Sequence, residues 1–351
     1  IITIPPYMGF YLQIRKSHIP LLVTTLDIEV FNFTITINVY DETFNISLPP
    51  RLGTTEPTAG GYILYLNMGP YAGNRKAANS QIGISQDING NPVDSAEEFY
   101  VWCGGDCSST TSQDLRIKAR LTGTSTWYTD DRTVAYWNIV KVIGFGGNGN
   151  DSIIIAPSVL VPTELHGGAN NDKLVAGNNA ASVLYGDHGN DILCANMDTS
   201  DGSVFCDTVT PTGTHGITMW GGSGNDNLHG GAGGDTIYGS SGNDQLFGHG
   251  GDDFLIGGAD NDSLAGGNGS DTYTFQTFGG DDTVTEASGA TAGTNDILDF
   301  TAAIGYLNGS VDISGIHLIG WGYTVNSTSS SLEFEQILGS RGSGTLTISA
   351  T

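Results

Sequence analysis

Aspartate recurs at every ninth residue as Asp226, Asp235, Asp244, Asp253, Asp262 and Asp271, always sixth in a block that begins with glycine. The blocks read GGSGNDNLH, GGAGGDTIY, GSSGNDQLF, GHGGDDFLI, GGADNDSLA and GGNGSDTYT, and they fill residues 221–274 without a break. Glycine at positions 1, 2 and 4 permits positive φ, which a tight turn needs and most residues resist. Such a turn aims several carbonyl oxygens at one point, and the aspartate adds a carboxylate. A set of about six to eight hard oxygen donors is what Ca²⁺ takes. The spacing therefore predicts a row of cation-binding turns.

Something must hold those turns in register. Positions 7 to 9 read as a short strand whose middle residue (Leu228, Ile237, Leu246, Leu255, Leu264, Tyr273) faces inward. One block cannot bury that residue alone, whereas stacked blocks can. A disordered Gly/Asp/Asn-rich linker is the competing reading, but disorder does not keep aspartate and leucine in phase six times. Without calcium the same segment is expected to lose order. The pattern begins upstream of the tandem blocks: residues 146–154 (GGNGNDSII) fit fully, 167–175 (GGANNDKLV) nearly, and 186–194 (GDHGNDILC) apart from Asp187. The nines between them, 158–166 and 177–185, keep an apolar eighth residue (Leu165, Leu184) and lack the aspartate. A coil of two half-turns per lap follows, with acidic turns on one side only in this upstream part. Residues 195–211 are expected to bulge out as a loop, and the rungs resume through 212–220 with Met219 inward.

The repeat resembles the nonapeptide GGxGxDxUx of RTX calcium-binding proteins. That resemblance implies an all-β chain built on a parallel β-roll (a β-solenoid), several bound Ca²⁺ ions as cofactors, and an extracellular, secreted or cell-surface location. Carried onto this chain, the metal ligands are Asp151, Asp172, Asp191, Asp226, Asp235, Asp244, Asp253, Asp262, Asp271 and Asp282. They act with turn carbonyls of Gly146, Gly149, Gly186, Gly189, Gly221, Ser223, Gly224, Gly230, Gly233, Gly239, Gly242, Gly248, Gly251, Gly257, Gly266 and Gly269. Three departures touch individual turns: Ser240 and His249 replace the second glycine, and Asp260 the fourth. Residues 278–300, with Asp281, Asp282, Asp296 and Asp299, resemble the segment that follows the last repeat in many members of that family.

Charge is uneven along the 351 residues, whose formal total is −25. Residues 146–351 hold two Lys/Arg against twenty-four Asp/Glu, while residues 1–145 hold ten against thirteen. Bound divalent cations would neutralise much of this; without them the segment should repel itself and expand. Such a surface argues against nucleic acid as a partner, because phosphate contacts need Lys and Arg. The four cysteines form two local pairs, Cys103 with Cys107 and Cys194 with Cys206, which suits disulfides in an oxidising compartment. A zinc site is the competing reading, without a nearby histidine at metal spacing. No run reaches the length of a transmembrane helix. The start at Ile1, with no charged and apolar leader, reads as a processed chain or a fragment.

Residues 1–135 read as a separate antiparallel β-sandwich-like domain with an apolar N-terminal arm. Phe31, Phe33, Ile35, Ile37 and Val39 alternate with polar residues, and Phe44, Ile46 and Leu48 resume the alternation after a turn, a half-buried hairpin. Further strands are expected near 62–67, 98–102, 115–121 and 133–143. The roll then occupies 136–300, and 301–351 reads as a β-rich cap for its open end, which repeat arrays need to stay soluble. No HExxH or GxSxG occurs, and the seven histidines show no metal spacing. The acidic pairs Glu97-Glu98 and Asp130-Asp131 could do glycoside chemistry, but adjacent surface acids are usually just solvated. Trp102, Trp127 and Trp137 could form a sugar platform, though such residues are more often core in a sandwich. These observations favour a non-catalytic structural or surface protein that self-associates into a filament or layer. A calcium-dependent adhesin or glycan-binding module and a polysaccharide-active enzyme with an unrecognised N-terminal site are the alternatives.

Overall fold

The computed structural model describes residues 52–68, 96–105, 107–120, 136–179, 181–195, 215–276, 279–285 and 296–302, with Ser125, Trp127 and Thr129. Elsewhere it describes only the backbone of short strands. Two parallel stacks of strands run side by side, and the chain alternates between them. The first stack contains Gly61–Leu66, Tyr136–Asn148, Thr163–Ala169, Val183–His188, Thr218–Ser223, Thr236–Ser241, Phe254–Ala259, Thr272–Thr274 and Asp296–Asp299. The second contains Glu97–Cys103, Ser152–Ile155, Lys173–Val175, Ile192–Cys194, Asn227–His229, Gln245–Gly250, Ser263–Asn268 and Gly280–Thr285.

Each lap is therefore one strand, one turn, a second strand and a second turn. Successive laps lie in register, so residues of like position sit directly above one another: Leu228 on Leu246 and Leu246 on Leu264 in the second stack, Met219 on Ile237 and Ile237 on Leu255 in the first. All the eighth-position residues point between the stacks. Leu165, Leu184, Met219, Leu228, Ile237, Leu246, Leu255 and Tyr273 are fully buried there, and Leu264 is 1% exposed. Burying each such side chain is worth roughly 1.5–3 kcal/mol relative to exposure, so the core is a column of small contributions that no single block can make.

That column does not stop at the first acidic turn. One continuous buried cluster runs from Leu52, Leu64 and Phe99 through the roll to Leu298 and Phe300. The N-terminal strands hydrogen-bond straight into the coil: Gly61–Leu66 lies parallel to Tyr136–Asn148, and Glu97–Cys103 lies parallel to Ser152–Ile155. Two antiparallel additions complete this end. Gly53–Thr58 pairs with Gly61–Leu66, and Gln113–Leu121 pairs with Glu97–Cys103 as well as with the start of Tyr136–Asn148, joining the stacks. The strands expected near 62–67, 98–102, 115–121 and 133–143 thus continue the two stacks and share their core.

Outward faces differ. On the first stack Phe145, His166, Tyr185, Trp220 and Tyr238 stack ring on ring with centroids 4.4–5.0 Å apart. On the second, Val175 and Cys194 form a small buried cluster with Ile154 and Ile192 packed against it. Beyond the roll, Tyr323–Ser327 adds parallel to Gly280–Thr285 and Phe334–Leu338 to Asp296–Asp299. The backbone of the early hairpin pairs Thr36–Val39 with Glu42–Asn45. The apolar arm at residues 1–25 and most of the loop at 195–211 lie outside the described residues.

Candidate metal centre

The turns that carry chemistry lie along the two edges where the chain passes between stacks. On the first edge sit Asp151, Asp172, Asp191, Asp226, Asp244, Asp262 and Asp282; on the second sit Asp235, Asp253, Asp271 and Asp296. All are 3% exposed or less. Each Oδ1 accepts a backbone N–H from the preceding lap. Along the first edge the donors are Glu97, Asp151, Asp172, Asp191, Asp226, Asp244 and Asp262, at 2.7–3.0 Å. Along the second they are Ile217, Asp235, Asp253 and Asp271, at 2.7–2.9 Å. The result is two ladders of aspartates, each carboxylate tying its own turn to the one before it.

The rungs are 18 residues apart within the tandem blocks. They are 21 and 19 apart upstream, and 35 apart between Asp191 and Asp226, where the loop is inserted. Upstream on the second edge the corresponding position is neutral: Thr163 donates its N–H to Ser182 Oγ at 3.2 Å, and both residues are buried. A hydroxyl there closes the ladder with no charge to compensate. A third ladder runs outside the first edge, where Asn150, Asn171, Asn190, Asn225, Asn243 and Asn261 each accept the fifth-position N–H of the following lap at 2.7–3.2 Å.

The second carboxylate oxygens define the electrostatics. The Oδ2 atoms of Asp172, Asp191, Asp226, Asp244, Asp253, Asp262 and Asp271 are buried and accept no hydrogen bond. Removal from water pushes these carboxyls up; the N–H donors oppose the rise, and at most of them neighbouring carboxylates add to it. They stand at about 6 for Asp226 and Asp271, about 7 for Asp191, about 8 for Asp172, Asp244 and Asp262, and about 9 for Asp253. Asp235 and Asp282 are raised to about 7 by the same burial. Asp235 differs in that its Oδ2 accepts the Gly231 N–H at 2.6 Å.

Beside most of these oxygens is a space that only glycine leaves open; beside Asp271 the Tyr273 hydroxyl lies at the same place. A Cβ on Gly221 would strike Asp226 Oδ2 and the Gly239 carbonyl; on Gly239, Asp244 Oδ2 and the Gly257 carbonyl; on Gly230, Asp235 Oδ2 and the Gly248 carbonyl. Gly146, Gly167, Gly186 and Gly248 face the same pair of oxygens, one from their own turn and one from the next lap. Position 4 is equally constrained, since Gly224 and Gly242 have φ of 128° and 116° and a Cβ on either would land on the preceding lap's carbonyl. The substituted turns keep this path: Asp187, Ser240, His249 and Asp260 take φ of 72°, 87°, 72° and 76°. The Ser223 carbonyl accepts the Gly189 N–H at 2.8 Å, which occupies one of its lone pairs. No group of three or more His, Cys, Asp or Glu side chains converges among the described residues. One carboxylate per turn, with carbonyls supplying the other donors, suits a hard cation with many oxygen ligands. The buried bare oxygens and the glycine-lined spaces fit Ca²⁺.

Asp296 is the ladder member the sequence reading did not take as a ligand position. It lies outside the nine-residue period, and only its place after Asp271 on the second edge puts it there. Other candidates separate. Glu97 is buried and Glu98 faces outward to Arg120 at 2.6 Å, so alternation along the strand sends the two acids to opposite faces. They form no catalytic pair, while Asp130-Asp131 lie outside the described residues. The tryptophans are not core: Trp102 and Trp127 are half-buried and Trp137 is 56% exposed, the strands of Trp102 and Trp137 turning those positions outward. His229 Nδ1 and His249 Nε2 meet at 3.1 Å across one lap of the second stack, a proximity their spacing of 20 residues hides. Cys103 and Cys107 are joined in a disulfide, and Cys194 is disulfide-bonded as well; Cys206 lies outside the described residues.

The family model for the RTX calcium-binding nonapeptide repeat matches in four copies, over residues 166–198, 220–255, 238–273 and 247–284. No curated protein matches the chain. The matched residues include the glycine turns of the tandem blocks and every ladder aspartate except Asp151 and Asp296. This part of the chain is an RTX calcium-binding β-roll.

Proposed function

We propose that the chain is an extracellular structural protein whose β-roll becomes rigid on binding calcium, and that it self-associates into a filament or layer. The observation that supports this most is the pair of unbroken aspartate ladders on one continuous hydrophobic coil. Bound Ca²⁺ would supply the positive charge that the buried carboxylates lack. Asp151, Asp172, Asp191, Asp226, Asp244, Asp262 and Asp282 hold one edge, and Asp235, Asp253, Asp271 and Asp296 the other, each with first-position and neighbouring turn carbonyls. Each ion would be held by a ladder carboxylate together with turn carbonyls, and its charge would offset the desolvation and mutual repulsion of those carboxylates. The N-terminal strands cover the first rung and the strands after residue 300 cover the last, leaving residues 136–300 as the calcium-responsive unit. The role is mechanical and not catalytic.

Electron microscopy and sedimentation of the purified protein, with calcium and with EDTA, test this reading. Calcium-dependent filaments or sheets are expected. Dispersed monomers at high protein concentration with calcium would refute assembly, while a calcium-induced gain of β signal would still leave the roll's metal binding intact.

A further inference from the structure

The outer face of the second stack carries a strip of a different character at its N-terminal end. Along Glu97–Cys103 and Gln113–Leu121, Phe99, Val101, Leu115, Ile117 and Ala119 point into the core, so the alternate residues point out. These pair directly across the strands: Glu98 with Arg120, Tyr100 with Lys118, Trp102 with Arg116. Trp127 lies over the same strip, with Lys118 Nζ 4.6 Å and the Arg120 guanidinium carbon 4.5 Å from its ring centre; Lys118 Nζ is also 4.6 Å from the centre of Tyr100. Arg120 is held by Glu98 at 2.6 Å, and no ion pair forms to Arg116 or Lys118 among the described residues. Three cations and three aromatic rings thus share one flat face, in a chain whose residues 146–351 contain only two Lys/Arg.

We propose that this strip binds a linear acidic polysaccharide, one bearing carboxylate or sulfate groups. Cations on alternate residues of one strand stand roughly 6.6 Å apart in a line, which suits an extended polymer and not a compact ligand. Guanidinium forks take carboxylate and sulfate oxygens with paired hydrogen bonds. Indole and phenol rings take the C–H faces of sugars, and the cation–π contacts fix Lys118 against Tyr100 and Trp127 and Arg120 against Trp127, beside the guanidinium of Arg116 on the same face. The Cys103–Cys107 disulfide, on the strand that carries Tyr100 and Trp102, belongs to an oxidising compartment, where acidic glycans are abundant polyanions and nucleic acid is scarce. A second copy of the chain is a poorer partner, because many of its carboxylates are buried in the ladders. This binding does not depend on whether the protein polymerises.

The test is a tryptophan-fluorescence titration of the full chain at fixed calcium and low salt. Heparin and hyaluronate serve as acidic probes, dextran as the neutral one and single-stranded DNA as another polyanion. Both acidic glycans are expected to bind and dextran is not, with binding weakened as salt screens the contact. The double variant R116Q/K118Q, which keeps aliphatic stems beside the rings, should weaken binding by about tenfold or more. K141Q, at a cation on the first stack, should leave it unchanged; a calcium-dependent circular dichroism signal like that of the unmodified chain confirms each variant's fold. Absence of binding to both acidic glycans, equal binding by R116Q/K118Q, or tighter binding of DNA would overturn the proposal. So would a self-association that R116Q/K118Q abolishes in the absence of any glycan binding.

Discussion

Replacing Asp244 by asparagine separates the two roles of a ladder carboxylate. Asp244 is 1% exposed; its Oδ1 accepts the Asp226 N–H at 2.8 Å, and its own N–H donates to Asp262 at 2.9 Å. Its Oδ2 has no hydrogen bond and faces the space beside Gly239. Asparagine has the same shape, so its amide oxygen keeps the Asp226 contact while an NH₂ group replaces Oδ2. Two effects of opposite sign follow. In EDTA at pH 8, D244N should be at least as stable as the unmodified chain, because a buried carboxyl pushed up to about 8 by desolvation has been made neutral. In calcium the variant should be less stable, because an N–H donor now points where a cation needs an oxygen. A ligand at a hundredfold excess over its Kd stabilises by about 2.7 kcal/mol, so losing one ion should remove about that much of the calcium-induced gain. Urea unfolding with and without calcium measures the difference, and titration calorimetry counts the ions. Asp252 provides the charge-matched control: it is exposed on the second edge, and asparagine there still accepts the Ser270 N–H. If D244N and D252N lose the same calcium stabilisation, the buried Oδ2 atoms do not hold the metal.

The ladder carboxyls also set a pH dependence. An unfolded aspartate titrates near ~3.9, whereas Asp172, Asp191, Asp226, Asp244, Asp253, Asp262 and Asp271 are raised to between about 6 and about 9. Without calcium the roll should therefore be most stable below the unfolded value and lose stability as pH rises through that range; circular dichroism in EDTA showing more β signal at pH 8.5 than at pH 4.5 would contradict this. Calcium affinity should move the other way, rising over the same window as protons leave the ligands. Alanine at Gly224 should cost roughly 3 kcal/mol or more, since φ is 128° and the Cβ would land on the Gly189 carbonyl. Alanine at Gly250, where nothing lies within 3.8 Å, should shift stability by no more than about 1 kcal/mol; equal urea midpoints for the two would refute the close-packed turn. L246A empties a fully buried position in the core column and should cost about 2–5 kcal/mol in calcium-loaded protein by urea unfolding.

The repeat was legible from local chemistry alone. Glycine at fixed positions, aspartate sixth and an apolar residue eighth describe one turn and one short strand, and each requirement acts within nine residues. Even the imperfect nines read correctly, as Leu165, Leu184 and Met219 are fully buried in the column. Substitutions such as Ser240 and His249 were visible as departures, but whether the backbone would keep its positive φ was not; stacking against the laps on either side forces it. What only the tertiary structure decided is which atoms meet across laps. The Oδ1 to N–H pairing, the outer asparagine ladder, the neutral Thr163 and Ser182 rungs and the meeting of His229 with His249 all depend on the lap length, which the inserted loop changes. Asp296 joins the second ladder for that reason and no periodic one. The N-terminal strands show the same limit. Alternation located them, but whether Trp102 and Trp127 face a core or solvent depended on where those strands dock. They dock onto the roll, whose open end offers unpaired backbone and apolar surface to the strands that precede it.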